Sequence, residues 1–359
     1  MKILDKYIIK KFLGTFFLSI ILLLVIVVFF DLSEKLDDFL ESKATFSQIV
    51  FVYYLNFIPY FINLFAPLFT FIAVIFFTSR LAFNTEVIAV LSSGVSFNRF
   101  MYPYFISAFI LASMTFYLAN FIIPHANKTR YTFENMYLHD RSNWIDKDVH
   151  LQTEPGSYAY IETYNPELKI GYNFTFEKVN EKGLYYKLNA EIARWDSMKN
   201  SWKLENFYIR KINDMNEQII KGKQKDTIFN NLHSIDFSKK YVNVATMNFF
   251  ELRQFINEER MKGNESIFTY EVEKYKRMVD PISLFIFTLI GVTLSSRKVR
   301  GGMGFHLGAG IAISFAYVLF MQISTTFSIY SNLPPYIGVW APNIIFGFLG
   351  LYLLRMAPK

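Results

Sequence analysis

Thr78-Ser79-Arg80-Leu81-Ala82-Phe83-Asn84-Thr85-Glu86-Val87-Ile88-Ala89-Val90-Leu91-Ser92-Ser93-Gly94 is a short polar interruption between two long apolar runs. Asn84 or Thr85 can cap a helix here, Glu86 then sits in the first turn, where the helix dipole favours an anion, and Gly94 can stop it. A helix over 84–94 makes roughly two to three turns. Its apolar residues Val87, Ile88, Val90 and Leu91 are too few to cross a bilayer. The stretch therefore lies at a membrane face, and the chain on either side of it is the embedded part.

Upstream, no residue from Ala44 to Ser79 is charged, which is long enough for an amphipathic entry and a span, with Pro59 and Pro67 bending or starting it. Downstream, after Arg99, Phe100 to Pro124 reads as a further span whose exit is marked by Pro124. Nearer the N-terminus, Lys10-Lys11 precede Phe12 to Phe30, an uncharged run of about the length needed to cross the hydrocarbon core. It is longer than the apolar part of a secretory signal and lacks a small-residue cleavage site, so it is expected to stay attached. Leu32, Leu36, Phe39 and Leu40 then keep helical spacing through an acidic extension that includes Asp31, Glu34 and Lys35.

The composition agrees. The chain is 52% hydrophobic and only 19% charged, outside the usual soluble range, and its charges come in blocks. There is no cysteine, so any exposed domain is held by its own core rather than by disulfides or thiolate metal sites.

From His125 to about Asp280 the character changes. Lys/Arg and Asp/Glu are nearly balanced, no run is long enough to span, and period-two stretches appear: Tyr158 to Ile161, Tyr172 to Phe176, Leu184 to Trp195 and Trp202 to Ile212. Asn180-Glu181-Lys182-Gly183 and Ser197-Met198-Lys199-Asn200 read as hairpin turns. Glu265 to Val279 is a helical lead-in to Pro281, which suits a first helical turn. Pro281 to Ser296 is the fourth span, closed by Arg297-Lys298-Val299-Arg300. Gly301 to Leu354 has no charge except that available to His306, and Tyr330-Ser331-Asn332-Leu333-Pro334-Pro335 divides it into two more spans. The expected organisation is a membrane α-helical bundle of six spans with an inserted all-β domain: 1–124, 125–264 and 265–359.

The short segments placed on one side by an inward N-terminus carry net charges of +3, +1, +3 and +2, whereas the first connection carries −3 and the β insert about +1. By the positive-inside rule both termini are expected in the cytoplasm and the insert outside it. That placement also accounts for the net +7 without a nucleic-acid partner.

No P-loop, H-E-x-x-H or G-x-S-x-G motif is present, and the five histidines are scattered. The charge-free runs offer no ionisable group for ion-driven transport. An outside motor acting on the short connections is the simpler expectation. Leu4-Asp5-Lys6-Tyr7-Ile8, Glu86 to Gly94, Arg300-Gly301-Gly302-Met303-Gly304, and Leu333-Pro334-Pro335-Tyr336 with Trp340-Ala341-Pro342-Asn343 occur in this order. Together they resemble the LptF/LptG lipopolysaccharide-transport permeases over the whole length, with a start more like LptG than LptF.

The resemblance implies a jellyroll-like periplasmic insert and a heterodimer with a second LptF/LptG-type permease in the inner membrane of a Gram-negative bacterium. It implies a cytoplasmic ATPase dimer that handles ATP and magnesium, no cofactor on this chain, and delivery of lipopolysaccharide to a periplasmic bridge protein. By motif position Glu86 is the coupling acid, framed by Arg80 and Gly94, on a helix that also carries Val87 and Leu91. Lys35, among Asp31 and Glu34, is the nearby candidate for lipid phosphate, and Gly304 and Gly308 fall at the dimer seam.

Blander readings stand beside these. Glu86 can be an ordinary helix N-terminal acid worth less than about 1 kcal/mol. Lys35 can simply pair with Asp31, Glu34 or Asp38. Gly304 and Gly308 allow close helix approach of any kind. Tyr158, Tyr160, Phe174, Phe176, Tyr186, Trp195 and Trp202 can be core or can hold acyl chains. Two other functions fit the same pattern: a motor-coupled permease for another cargo such as lipoprotein, and a membrane-anchored scaffold or enzyme working through its external domain.

Overall fold

The structure, a computed structural model, describes residues 2–138, 146–166, 168–181, 183–213, 216–229, 232–237, 244–261, 266–297, 299, 302–331 and 333–357. The chain divides into two compact units. One holds the helices through Tyr137, Ala245–Phe250 and the chain from Phe268 onward, and the other holds the β-strands and Glu251–Ile267.

In the helical unit, α1 (Ile3–Glu34) buries Ile8, Phe12, Phe16, Ile20 and Leu24, one residue every fourth, while Leu18, Ile21, Leu22, Val25 and Ile26 on the rest of its surface are exposed. A helix apolar all round, with one stripe packed and the remainder uncovered, is stable where the surrounding solvent is lipid. After the break at Lys35 come α2 (Leu36–Glu41) and α3 (Phe46–Gln48), a π-helical turn over Ile49–Tyr54, α4 (Leu55–Phe83) and the short α5 (Glu86–Ser92). Next are α6 (Phe97–Tyr117), a second π turn over Leu118–Ile122, and α7 (Ile123–Tyr137). Beyond the β insert and α8 (Phe249–Met261) lie α9 (Ile267–Ser295), α10 (Gly302–Tyr330) and α11 (Pro335–Arg355). Among the described residues six helical stretches are long and apolar enough to cross a membrane: Ile3–Glu34, Phe46–Phe83, Phe97–Tyr137, Ile267–Ser295, Gly302–Tyr330 and Pro335–Arg355. This is a multi-pass membrane protein.

Two helix boundaries differ from those read off the sequence. Pro124 does not end the third span: the preceding π turn resets the hydrogen-bond ladder, so the ring falls in the first turn of α7, where no N–H is required. The helical unit therefore runs past residue 124. Pro281 does not start the fourth span either. It lies inside α9, whose core contacts through Val279 and Leu284, and at Gly291 where a Cβ would press on Val74, hold the helix together across it. As a result the charged residues of the lead-in, from Glu271 to Asp280, and the apolar run after Pro281 belong to one continuous helix, α9. Arg277 is buried and donates to Glu273 Oε1 (2.9 Å) and to the Met247 carbonyl (2.7 Å). Residues 264 and 265, where the insert was expected to end, lie outside the described residues. So do Lys298, Arg300, Gly301 and Asn332 of the connections around the fifth span.

The β unit is one six-stranded antiparallel sheet in chain order: β1 (Asp146–Glu154), β2 (Ser157–Asn165), β3 (Ile170–Asn180), β4 (Gly183–Asp196), β5 (Ser201–Asn213) and β6 (Asn216–Thr227). The insert carries a β-sheet as expected, with α8 after it in the chain, and every pairing among the described residues joins successive strands. β3 and β4 close at Asn180↔Gly183, with Lys182 of that turn outside the described residues. Asp196 Oδ1 accepts from the Met198 and Lys199 amides in the next turn. Phe174, Phe176, Leu188, Trp202 and Leu204 form the core with Leu232 and Phe237, and the Trp202 indole donates to the Leu232 carbonyl at 3.0 Å. Of the aromatics with two readings, Phe174, Phe176 and Trp202 are core, Tyr186 and Trp195 pack at its margin, and Tyr158 is exposed.

Candidate functional site

α5 forms because its neighbours fix both ends. Thr85 takes the left-handed conformation (φ 61°) before it, its hydroxyl donating to the Asn84 carbonyl, and Gly94 (φ 84°) follows it and donates to the Leu91 carbonyl at 3.0 Å. A positive φ is inexpensive at glycine, so Gly94 ends the helix without strain. The helix is two-sided. Val87 is 1% exposed and sits in the core built by α1, α4 and α6, with Val90 and Leu91 packed at the edge of that core. Glu86, Ile88, Ala89 and Ser92 face away, and Ile88 is 54% exposed. Asn84 Nδ2 donates to Glu86 Oε1 at 3.3 Å. Arg80, in the last turn of α4, is also exposed and favourably placed at a helix C-terminus. Val87 and Leu91 thus dock the helix on its own chain, while Glu86 and Arg80 are presented outward.

Sequence reasoning missed the clamp next to α5. Asp5 is 2% exposed, accepts from the Lys2 amide at 2.8 Å, and takes both Arg99 guanidinium nitrogens at 2.8 Å each. This bidentate pair ties the start of α1 to the start of α6 immediately after the α5 turn. The available signal was compositional: Asp5 is the one acid among four lysines before the first apolar run.

At the other end of α1, the chain breaks at Lys35 and gathers a charged cluster. Lys35 Nζ contacts the Tyr53 hydroxyl and lies 3.1 Å from Asp31 Oδ1 and 3.8 Å from Glu134 Oε1. Tyr53 donates to Asp31 Oδ1 at 3.2 Å, and Arg130 stands 3.5 Å from Glu134. Lys35 therefore pairs with Asp31, one of the partners anticipated, and also with Glu134 from α7, which the sequence did not signal. Glu34 stays exposed.

On α10, a Cβ at Gly304 or Gly308 would meet nothing within 4 Å, whereas at Gly310 it would press on Ile75. The first two glycines face away from this chain's own helices. Among the described residues no cluster of His, Cys, Asp and Glu could hold a metal.

Six candidate spans, a β insert and a short two-sided helix between the second and third spans define a multi-pass membrane protein with an inserted β unit. The sequence profile of the lipopolysaccharide export system permeases LptF/LptG matches residues 6–356, and the chain belongs to that family. It is similar to the lipopolysaccharide export system permease protein LptG of Escherichia coli strain K12, 19% identical over 358 residues that cover 98% of each chain, and to the LptG of E. coli O6:H1 to the same extent.

Proposed function

We propose that this chain is the permease subunit of an ATP-driven exporter that extracts lipopolysaccharide from the inner membrane of a Gram-negative bacterium. It occupies the LptG-like place beside a second LptF/LptG-type permease. It binds no cofactor itself, and ATP and magnesium belong to a cytoplasmic ATPase dimer. Both termini are cytoplasmic, and the β insert stands in the periplasm, where it meets a bridge protein. The observation that carries this reading is the division of α5: Val87 and Leu91 anchor it in the membrane unit, so force applied at Glu86, beside Arg80 and with Gly94 as its stop, is transmitted to α4 and α6. The pair Asp5–Arg99 stiffens the same end. Among the lipid-contact candidates Glu34 is the exposed one, with Lys35 and Asp31 already engaged at the opposite end of α1. Gly304 and Gly308 offer α10 to the partner permease.

The test is purification from detergent of the tagged chain expressed with its genomic neighbours. Retention of an ATPase and of lipopolysaccharide, with labels near Trp195 reacting from the periplasm, is expected. A chain that purifies with neither, or whose Trp195 region is cytoplasmic, overturns the reading.

A further inference from the structure

One transverse row crosses the entire β unit. Each pair of neighbouring strands keeps the same register on both sides of it yet omits the pair in between. Lys147↔Thr163 is followed by Val149↔Ile161, Thr163↔Tyr172 by Ile161↔Phe174, and Tyr172↔Ile192 by Phe174↔Ala190. Ile192↔Glu205 is followed by Ala190↔Phe207, and Glu205↔Gln224 by Phe207↔Gly222. The skipped residues lie side by side: Asp148, Glu162, Asn173, Glu191, Asn206 and Lys223. Three of them, on alternate strands, share one left-handed backbone conformation: Asp148 (φ 51°), Asn173 (φ 52°) and Asn206 (φ 50°). Asp and Asn tolerate this conformation best among residues with a Cβ.

The alternation of side chains resets at the same level. Burial passes from Ile161 to Tyr164, from Gly171 to Phe174, from Ala190 to Ala193 and from Leu204 to Phe207, three residues on instead of two. Because the four central strands β2 to β5 reset together, the apolar face stays continuous while the ladder is interrupted. Across the opposite face the row is stitched by exposed side chains: Asn173 donates to Glu162, Asn206 to Glu191 at 2.7 Å, and Tyr160 to Asp148 at 2.9 Å. Interrupted pairing with matched kinks is how a sheet bends without slipping. Interruption in every ladder at one level makes that line the one at which bending costs least.

We infer that the row Asp148–Glu162–Asn173–Glu191–Asn206–Lys223 is a hinge line about which the two halves of the sheet change angle as units, widening or narrowing the apolar face between them. Asn173 and Asn206 are positioning residues that set the resting angle.

The absence of native cysteine allows clean labelling of the full-length chain in its purified complex. Spin labels at Tyr185, near the start of β4, and Met198, in the turn just past its end, are both exposed and span the line. A two-component distance distribution is expected, broadening further in the Asn173→Gly/Asn206→Gly chain, which keeps the backbone conformation accessible and removes the stitches. Amides of the row should exchange at least tenfold faster than those two or three residues to either side. A single narrow distance in both chains, or a row protected as well as its flanks, overturns the inference.

Discussion

Replacing Val87 by Ala isolates what holds α5 in place. Val87 is 1% exposed within the core of the helical unit. Removing two methyl groups costs about 1.6 kcal/mol in transfer free energy, and the unfilled space raises this to about 2 kcal/mol. Only α5 depends on that contact, so the loss falls on the docked state of the helix rather than on the six spans. About 2 kcal/mol corresponds to roughly a 30-fold shift in the open population. Amide exchange of the 84–94 segment, read by mass spectrometry on the purified chain, should accelerate by that factor in Val87→Ala. Ile88→Ala, on the exposed side, should leave exchange within about threefold. Equal acceleration in the two variants, or none in Val87→Ala, refutes the assignment of inner and outer sides.

Other consequences can be checked singly. Asp5→Asn should lower the thermal midpoint of the detergent-solubilised chain, Arg99→Lys should lower it less, and the exchanged pair Asp5→Arg/Arg99→Asp should recover part of the loss, as followed by scanning fluorimetry. Lys35→Ala leaves Asp31 without its cation, while Glu134 keeps Arg130; with Lys35 27% exposed the expected cost is about 2 kcal/mol, below that of a fully buried pair, and Glu34→Gln should cost nothing measurable by the same assay. Gly304→Leu and Gly308→Leu should spare the chain's own fold and abolish co-purification of a second permease, whereas Gly310→Leu, blocked by Ile75, should reduce expression of the chain itself. In the sheet, the Arg210 guanidinium holds the Glu217 carboxyl below its ordinary value. That support for the β5–β6 edge is present above the unfolded carboxylate pKa and disappears as acid protonates Glu217, so β6 amides should lose protection on going from pH 7 to pH 3.5 while those of β3 and β4 keep theirs.

What could be read from residues alone follows the strength of each local signal. Phe12 to Phe30 and the Gly94 stop are unambiguous because apolar length and backbone chemistry are properties of the segment itself, whereas the side-chain cap expected of Asn84 or Thr85 does not form: Thr85 enters the helix left-handed with its hydroxyl on the Asn84 carbonyl. Pro124 and Pro281 misled because a π turn in one case, and core packing on both sides in the other, override a residue that ends isolated helices. β1 and β6 gave no period-two signal: β6 is exposed on both faces, so nothing selects alternation in Asn216 to Thr227. Asp5–Arg99 and Lys35–Glu134 join residues about a hundred positions apart, and only the fold brings them together. Val87 and Leu91 were identified as members of the coupling helix, but only packing separates those that anchor it from Glu86, which it presents.

The most direct test reconstitutes the chain with its partner permease and ATPase in liposomes loaded with lipopolysaccharide and compares ATP-dependent lipid release by Glu86→Lys with that of the parent. Release is expected to fall at least tenfold while the spans stay folded and the anchoring residues Val87 and Leu91 stay protected. Undiminished release by Glu86→Lys, with the ATPase still bound, would contradict an exporter driven through this helix.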